Sequence, residues 1–237
     1  VSTNLQQTAV IACLAIGQTL IILTAGIDLA VGATTVLAMM IMASLTAYKG
    51  WPAIPSILVG LLLAVAAGYL NGFLVTKINL PPFIVTLGTL SIFTAIALLY
   101  SGGRSIIASE MPDTLNFMGE TFGPKGFRIT VGLVVVVLLY VIVHFALSQT
   151  AWGRHVYAVG DDPESARLSG VASKRVLLSV YTLAGLIYGI GAYILMIVVN
   201  ILLVLNVSAY YSTIAEGTIL ILAVLAGSLS RHSTLAK

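Results

Sequence analysis

The stretch TAWGRHVYAVGDDPESARLSGVASKRV, residues 150–176, contains Asp161, Asp162 and Glu164, three of the chain's eight acidic residues. It also contains Arg154, Arg167, Lys174 and Arg175, four of the eleven basic ones. On either side lie runs that are almost wholly apolar, 129–148 and 176–198. A water-facing island between two apolar runs of membrane-spanning length, about 20 residues each, is the signature of a polytopic membrane protein. A simple connection between two spans needs only a few polar residues. This one has the length and pattern of a structured element.

The rest of the composition agrees. The chain is 59% hydrophobic and 8% charged, with a mean hydropathy of +1.08, where soluble domains carry about 25% charged residues. So little charge cannot cover a water-facing surface, and the remaining apolar area must face lipid. The net charge of +3 comes from few groups, with no interleaved basic and aromatic pattern of the kind nucleic-acid binding uses. Cys13 is the one cysteine, which excludes an intramolecular disulfide and a cysteine metal cluster.

Seven spans are predicted, at 8–25, 31–48, 53–76, 83–101, 129–148, 176–198 and 213–229. The apolar runs are continuous rather than alternating, so they read as helices and not strands. Tyr48 and Trp51, Tyr100, Trp152, and Tyr210 and Tyr211 fall at span ends, where amphipathic rings favour the interface. The basic residues of the loop 149–175, with Arg231 and Lys237 of the C-terminal tail, place both segments in the cytoplasm. Two spans separate them, so the parity agrees. Counting back, the loop 102–128 is external, Lys77 is inside, and Lys49 and Val1 are outside. One further span is expected before Val1.

Within the span 53–76, Gly60, Ala64, Gly68 and Gly72 recur every fourth residue, and Gly185 and Gly189 repeat the spacing in 176–198. Small side chains on one stripe let two helix backbones approach closely. Their reading is helix packing. "KINLPPF", residues 77–83, is a tight turn in which Pro81 and Pro82 end one helix and open the next.

Three residues are candidates for a polar path. In "TAGIDLAVGATT", residues 24–35, Gly26 and Gly32 bracket Asp28. A lone carboxylate at membrane depth is a functional candidate by default; it is equally a helix cap for a helix starting at Leu29. Its place toward the cytoplasm argues against contact with an incoming solute. Asn71 and Thr86 are the other two. No G-x-S-x-G, H-E-x-x-H or G-x-x-x-x-G-K-[ST] occurs, and His144, His155 and His232 lack metal-ligand spacing. The chain is therefore not read as an enzyme: it has no catalytic or metal site, and no phosphate-binding loop to hydrolyse ATP.

In the opening stretch, "DDPESARLSG" carries both helix-end signals. Asp161 or Asp162 can cap it, Pro163 suits its first position, Glu164 favours the positive dipole end, and Gly170 can stop it in a left-handed conformation. Such a short helix either rests at the headgroups or meets a soluble partner.

"GRHVYAVGDDPESARLSGV" resembles the cytoplasmic loop of the permease subunits of ribose-type sugar ABC importers, in the branched-chain-amino-acid/ribose permease superfamily. It matches at Gly153, Arg154, Ala158, Gly160, Ala166, Ser169 and Gly170, and departs with Asp162 where Asn is usual and Ser165 where Ala is usual. "GQTLIILTAGIDLAVGA" and "NGFLVTKINLPPFIVTLGTL" are similar to two further stretches of that family, in the same order. The resemblance implies an all-α permease of about ten spans in the full chain, about seven of them here, forming one transmembrane domain over 1–237. It implies a bacterial inner-membrane location, a second permease copy (the same chain or a close paralogue), surrounding lipid, ABC ATPase subunits that hold the ATP and magnesium, and a periplasmic sugar-binding protein. The expected function is passage of a monosaccharide, coupled to ATP hydrolysis on the partner through Arg154 and Asp161, Asp162, Pro163, Glu164, Ser165, Ala166, Arg167, Ser169 and Gly170. Ala166, being small, is expected to lie at the docked surface, and Arg154 and Arg167 to pair with the ATPase. The alternative is an ion-driven secondary transporter working at the break around Asp28. Where the family continues after the span matching 176–196, this chain runs into "VNILLVLNVSAYYSTIAEGTILILAVLAGSLSRH", which resembles the family's C-terminal end. A family segment is therefore expected to be missing between about Leu195 and Asn200.

Overall fold

In lipid a chain has no water to satisfy its N–H and C=O groups, so long apolar runs must form helices whose hydrogen bonds are internal. A computed structural model of the protein describes residues 2–101, 120–122 and 129–204. Its helices are α1 (Ser2–Ile22), α2 (Val31–Ala47), α3 (Ala53–Thr76), α4 (Pro82–Ser101), α5 (Val131–Gln149), α6 (Ala151–Asp161), α7 (Pro163–Leu168) and α8 (Ser173–Val204). The apolar runs are helices as expected; a two-residue antiparallel pair precedes α5, β1 (Thr121–Phe122) and β2 (Ile129–Thr130), with Thr121 opposite Thr130. The expected seventh span, 213–229, and most of the loop 102–128 lie outside the described residues.

Four described helices are long and apolar enough to cross a membrane, α3, α4, α5 and the Ser173–Met196 part of α8; α1 and α2 supply shorter apolar stretches. The chain divides into two units, Val1–Val198 and Val199–Lys237. The first holds α1 to α7 and most of α8. α8 crosses 195–200, where a family segment is expected to be missing, as one continuous helix.

α8 is the hub of the first unit. Of its most apolar stretch 61% is buried, against 22% in α5, so α8 is enclosed by the described helices while α5 lies at their edge. Tyr181, Ala184, Ile187, Tyr188 and Ala192 are all buried. Its contact with α3 is at backbone level. A Cβ on Gly68 would strike the Tyr181 carbonyl oxygen and lie 2.9 Å from the Gly185 Cα. One on Gly185 would strike the Ala64 carbonyl, and one on Gly189 would lie 3.0 Å from the Ala64 Cβ. Gly72 faces α8 too, at Tyr181. Gly60, first in the same stripe, instead receives the Met42 side chain of α2. On its other side α8 meets α1, where the Tyr188 ring lies on Gly17 and the Cys13 thiol points at the Ile187 carbonyl, 3.4 Å away. Two apolar clusters fill the remaining space. Ala38, Met42, Ala64, Ala192 and Met196 join α2, α3 and α8, and Ala33, Leu37, Ala67, Phe93 and Ala97 join α2, α3 and α4.

Three connections gather at one end of this unit. α1 ends with Ala25 in the left-handed region (φ 55°), and the Gly26 N–H returns to the Ile21 carbonyl at 3.0 Å, a Schellman turn. The α3–α4 turn reverses through Asn79 (φ 60°), and α4 begins at Pro82. Lys174, at the start of α8, donates to the Asn79 side chain at 2.9 Å. The segment 149–175 closes over the same end, consistent with the parity inferred for these loops.

Candidate functional site

The segment 149–175 contains two helices where one was expected. α6 arises because Trp152, Val156 and Val159 recur at helical spacing and face inward; both valines are fully buried. The Thr150 hydroxyl caps it by accepting the Gly153 N–H at 3.2 Å. Gly153 permits the tight entry from α5, since a Cβ there would run into the Leu147 carbonyl. Near the other end of α6, Gly160 rests on the turn that follows α1. A Cβ at Gly160 would fall on the Leu23 carbonyl oxygen and lie 2.9 Å from its carbon. The Trp152 indole N–H donates to the Ser179 hydroxyl of α8 at 2.9 Å. α6 is thereby seated on two apolar helices at once.

α7 is short and closed at both ends. The Asp162 carboxylate accepts the Glu164 N–H (2.9 Å) and the Ser165 hydroxyl (2.5 Å), with Pro163 in the first helical position. Gly170 (φ 88°) stops the helix, and the Val171 N–H returns to the Ala166 carbonyl at 3.0 Å. The Ser173 hydroxyl of α8 donates to the Pro163 carbonyl at 3.0 Å, tying the start of α7 to α8.

The electrostatics of α7 are local. The Ser165 hydroxyl and then the Glu164 N–H hold the Asp162 carboxyl below its ordinary value. Arg167, by hydrogen bond and charge, does the same to Glu164, and Glu164 holds Arg167 more firmly protonated. A carboxylate depressed in the fold stabilises it above its unfolded pKa, about 4, and that contribution is lost as pH falls through the folded value. Hydrogen exchange of the Ala166 and Ser169 amides should therefore be flat from pH 7 to about 5, after correction for intrinsic rates, and lose protection below about 4. In Asp162→Ala, protection should already be reduced at pH 7. Wild-type protection that stays constant down to pH 2 would show that the ionised carboxylate does not hold α7 in place.

Most of the residues expected to meet a partner are exposed: Arg154, Asp161, Asp162, Pro163, Glu164, Ser165, Arg167, Ser169 and Gly170. Ala166 is the exception. It is 5% exposed and faces the loop's own interior, so its side chain does not reach a docked surface, and a charge there would be buried rather than presented. Arg167 is engaged within the helix, bidentate to Glu164 at 2.6 and 3.0 Å. The residue that sequence reasoning missed is Leu168, 75% exposed on α7. Helical register was the available signal: with Ala166 on the inner face, Leu168, two residues further on, falls on the opposite one.

These helices can be set beside known proteins. The profile of a family described as "Branched-chain amino acid transport system / permease component" matches residues 1–235. The chain belongs to that permease family. It is 46% identical over 194 residues to a fructose import permease protein of Rhizobium meliloti, covering 81% of this chain and 54% of that one. A ribose import permease protein of Bacillus subtilis is 35% identical (81% and 58% covered), and a D-allose transport system permease protein of Escherichia coli is 34% identical (78% and 55% covered). The chain thus spans about half the length of the curated relatives it matches. No solved structure matches it.

The permease's three path candidates are all buried. Asp28 Oδ1 accepts the Ala30 N–H at 2.8 Å, and the carboxylate lies beside Tyr188, whose hydroxyl donates to Gln18 Oε1 at 3.2 Å. The helix after it starts at Val31 rather than Leu29, with Ala30 at the cap position, so Asp28 braces the turn before the helix. The Thr86 hydroxyl donates to the Pro82 carbonyl of its own helix at 2.9 Å and also lies 3.2 Å from the Ile27 carbonyl. The structure thus brings Thr86 and Asp28 to one segment, 27–30. Asn71 sits in α3 with its side-chain oxygen unpartnered among the described residues. Gln18 and Tyr188 carry no motif of their own, and only their packing reveals them.

Proposed function

We propose that the chain is the membrane-spanning permease subunit of an ATP-driven ABC importer for a monosaccharide in a bacterial inner membrane. ATP and magnesium belong to separate ATPase subunits, a periplasmic binding protein delivers the sugar, and two permease copies pair around the path. The relatives' printed roles in fructose, ribose and allose transport support the substrate class. The observation that carries the coupling role is α7: a doubly capped helix that projects Leu168 outward while α6, one residue away, is seated on α1 and α8. Caps make the helix a rigid lever, and closure of the ATPase subunits on ATP binding moves it. The seat on Leu23 passes that motion to the segment 23–30, and the Trp152 and Ser173 bonds pass it to α8. The segment expected to be missing near 195–200 belongs to the same proposal.

Leu168→Glu tests it. Leu168 is exposed, so insertion and folding should be normal. Its removal from an apolar groove on the ATPase should weaken docking by about 1–3 kcal/mol, roughly tenfold to a hundredfold. Pull-down of the ATPase subunits and sugar-stimulated hydrolysis in proteoliposomes read this directly; normal values of both would remove α7 from the coupling role. Transport that persists without any ATPase and follows an ion gradient would favour the secondary transporter working at Asp28.

A further inference from the structure

A groove of about 460 Å³ runs between α3 and α8, with Val65 and Tyr69 on one wall and Leu178, Thr182 and Leu186 on the other, and Arg175 at its mouth. We propose that this groove binds an anionic glycerophospholipid, with its phosphate at Arg175 and one acyl chain laid along α8. Three observations fit that occupant. The groove runs from residue 175 to 186, eleven steps of an α-helix and so about 16 Å, close to the hydrocarbon depth of one leaflet, about 15 Å.

Arg175 is exposed and has no carboxylate partner among the described residues. It lies in the first turn of α8, where the helix dipole adds positive potential. A basic group between helices at the membrane boundary is the arrangement that holds anionic headgroups. Below it the polar groups are already satisfied: the Thr182 hydroxyl donates to the Leu178 carbonyl (2.7 Å), and Ser179 donates to the Val176 carbonyl (2.7 Å) while accepting from Trp152. Walls with such hydroxyls suit a hydrocarbon chain. Lys174, the neighbouring cation, is committed to Asn79.

The inference does not depend on which solute is carried. The full-length protein is purified from liposomes of phosphatidylcholine and phosphatidylglycerol in equal amounts, and bound lipid is counted by native mass spectrometry. Retained lipid should be enriched in phosphatidylglycerol about tenfold, at one molecule per chain. Arg175→Gln should abolish the enrichment, Arg175→Lys should keep most of it, and Lys174→Gln should leave it unchanged. Thr182→Trp should exclude the lipid without altering charge. Equal retention of the two lipids, or enrichment that survives Arg175→Gln, overturns the proposal. So does a Thr182→Trp protein that loses its second copy while retaining the same lipid, since that would assign the groove to the subunit interface.

Discussion

Gly160→Val is expected to cut ATP-driven sugar uptake by more than tenfold while leaving the ATPase subunits bound. Gly160 lies on the α6 face that meets α1, and any Cβ there falls on the Leu23 carbonyl. A backbone carbonyl cannot swing aside as a side-chain tip can, so α6 must lift away from the turn that ends α1. The buried contacts of Val156 and Val159 are strained with it, a cost of about 1–3 kcal/mol. α7 is built from its own residues, Asp162 through Gly170, and none of its caps passes through Gly160. Docking should therefore survive, and the link to the segment 23–30 should not. The measurement is a pair: pull-down of the ATPase subunits, near normal, and sugar-stimulated hydrolysis, lost. Gly160→Ala should fall between, since the gain in helix propensity, about 1 kcal/mol, opposes the clash. Wild-type uptake in a correctly inserted Gly160→Val protein would show that α6 does not transmit the stroke.

Gly68→Leu should cause the largest loss of stability of any single change in the first unit, at or above the upper end of the usual overpacking range, about 3 kcal/mol. The three atoms a Cβ there would meet, the Tyr181 carbonyl oxygen and the Gly185 Cα and N, are all backbone, so relief requires moving α8 as a whole. Because α8 also holds Tyr188 against Gly17 and Asp28, the disturbance spreads to the break. Gly68→Ala and Gly185→Ala should each destabilise, and the double variant should cost less than their sum. Once the helices part for one methyl, the second finds room, which is the coupling expected of residues in contact. Thermal unfolding in detergent would report all four proteins. Strict additivity would mean that the two glycines are not the closest approach of α3 and α8.

Much of the loop 149–175 was legible because its signals act within one turn. A capping aspartate, a proline that suits the first position and a glycine free to adopt positive φ need no distant neighbour, and the structure places α7 between Asp162 and Gly170 as those residues indicate. α6 was missed because its charged and apolar residues are mixed, and the whole stretch reads as one polar connection until Val156 and Val159 are seen pointing inward. The expected exposure of Ala166 was not met, for a related reason. Small size allows close approach, but does not say whether the approaching surface is a partner or the loop itself.

The sequence by itself determined that this chain is a bundle of apolar helices in a membrane, because lipid leaves long apolar runs no other way to satisfy their backbones. It also determined where the loop helix starts and stops, and which helix faces are smooth enough for close contact. Only the tertiary structure decided partners. Gly68 and Gly72 meet α8 while Gly60, on the same stripe, receives Met42 of α2; Tyr188 of α8 donates to Gln18 of α1; Gly160 rests on Leu23; and Leu168 rather than Ala166 faces outward. A side chain surrounded by lipid and one surrounded by another helix are equally apolar, so the sequence of a span does not distinguish its neighbours. That distinction comes from shape, from which backbones can approach without a Cβ between them, and shape exists only once the helices are packed.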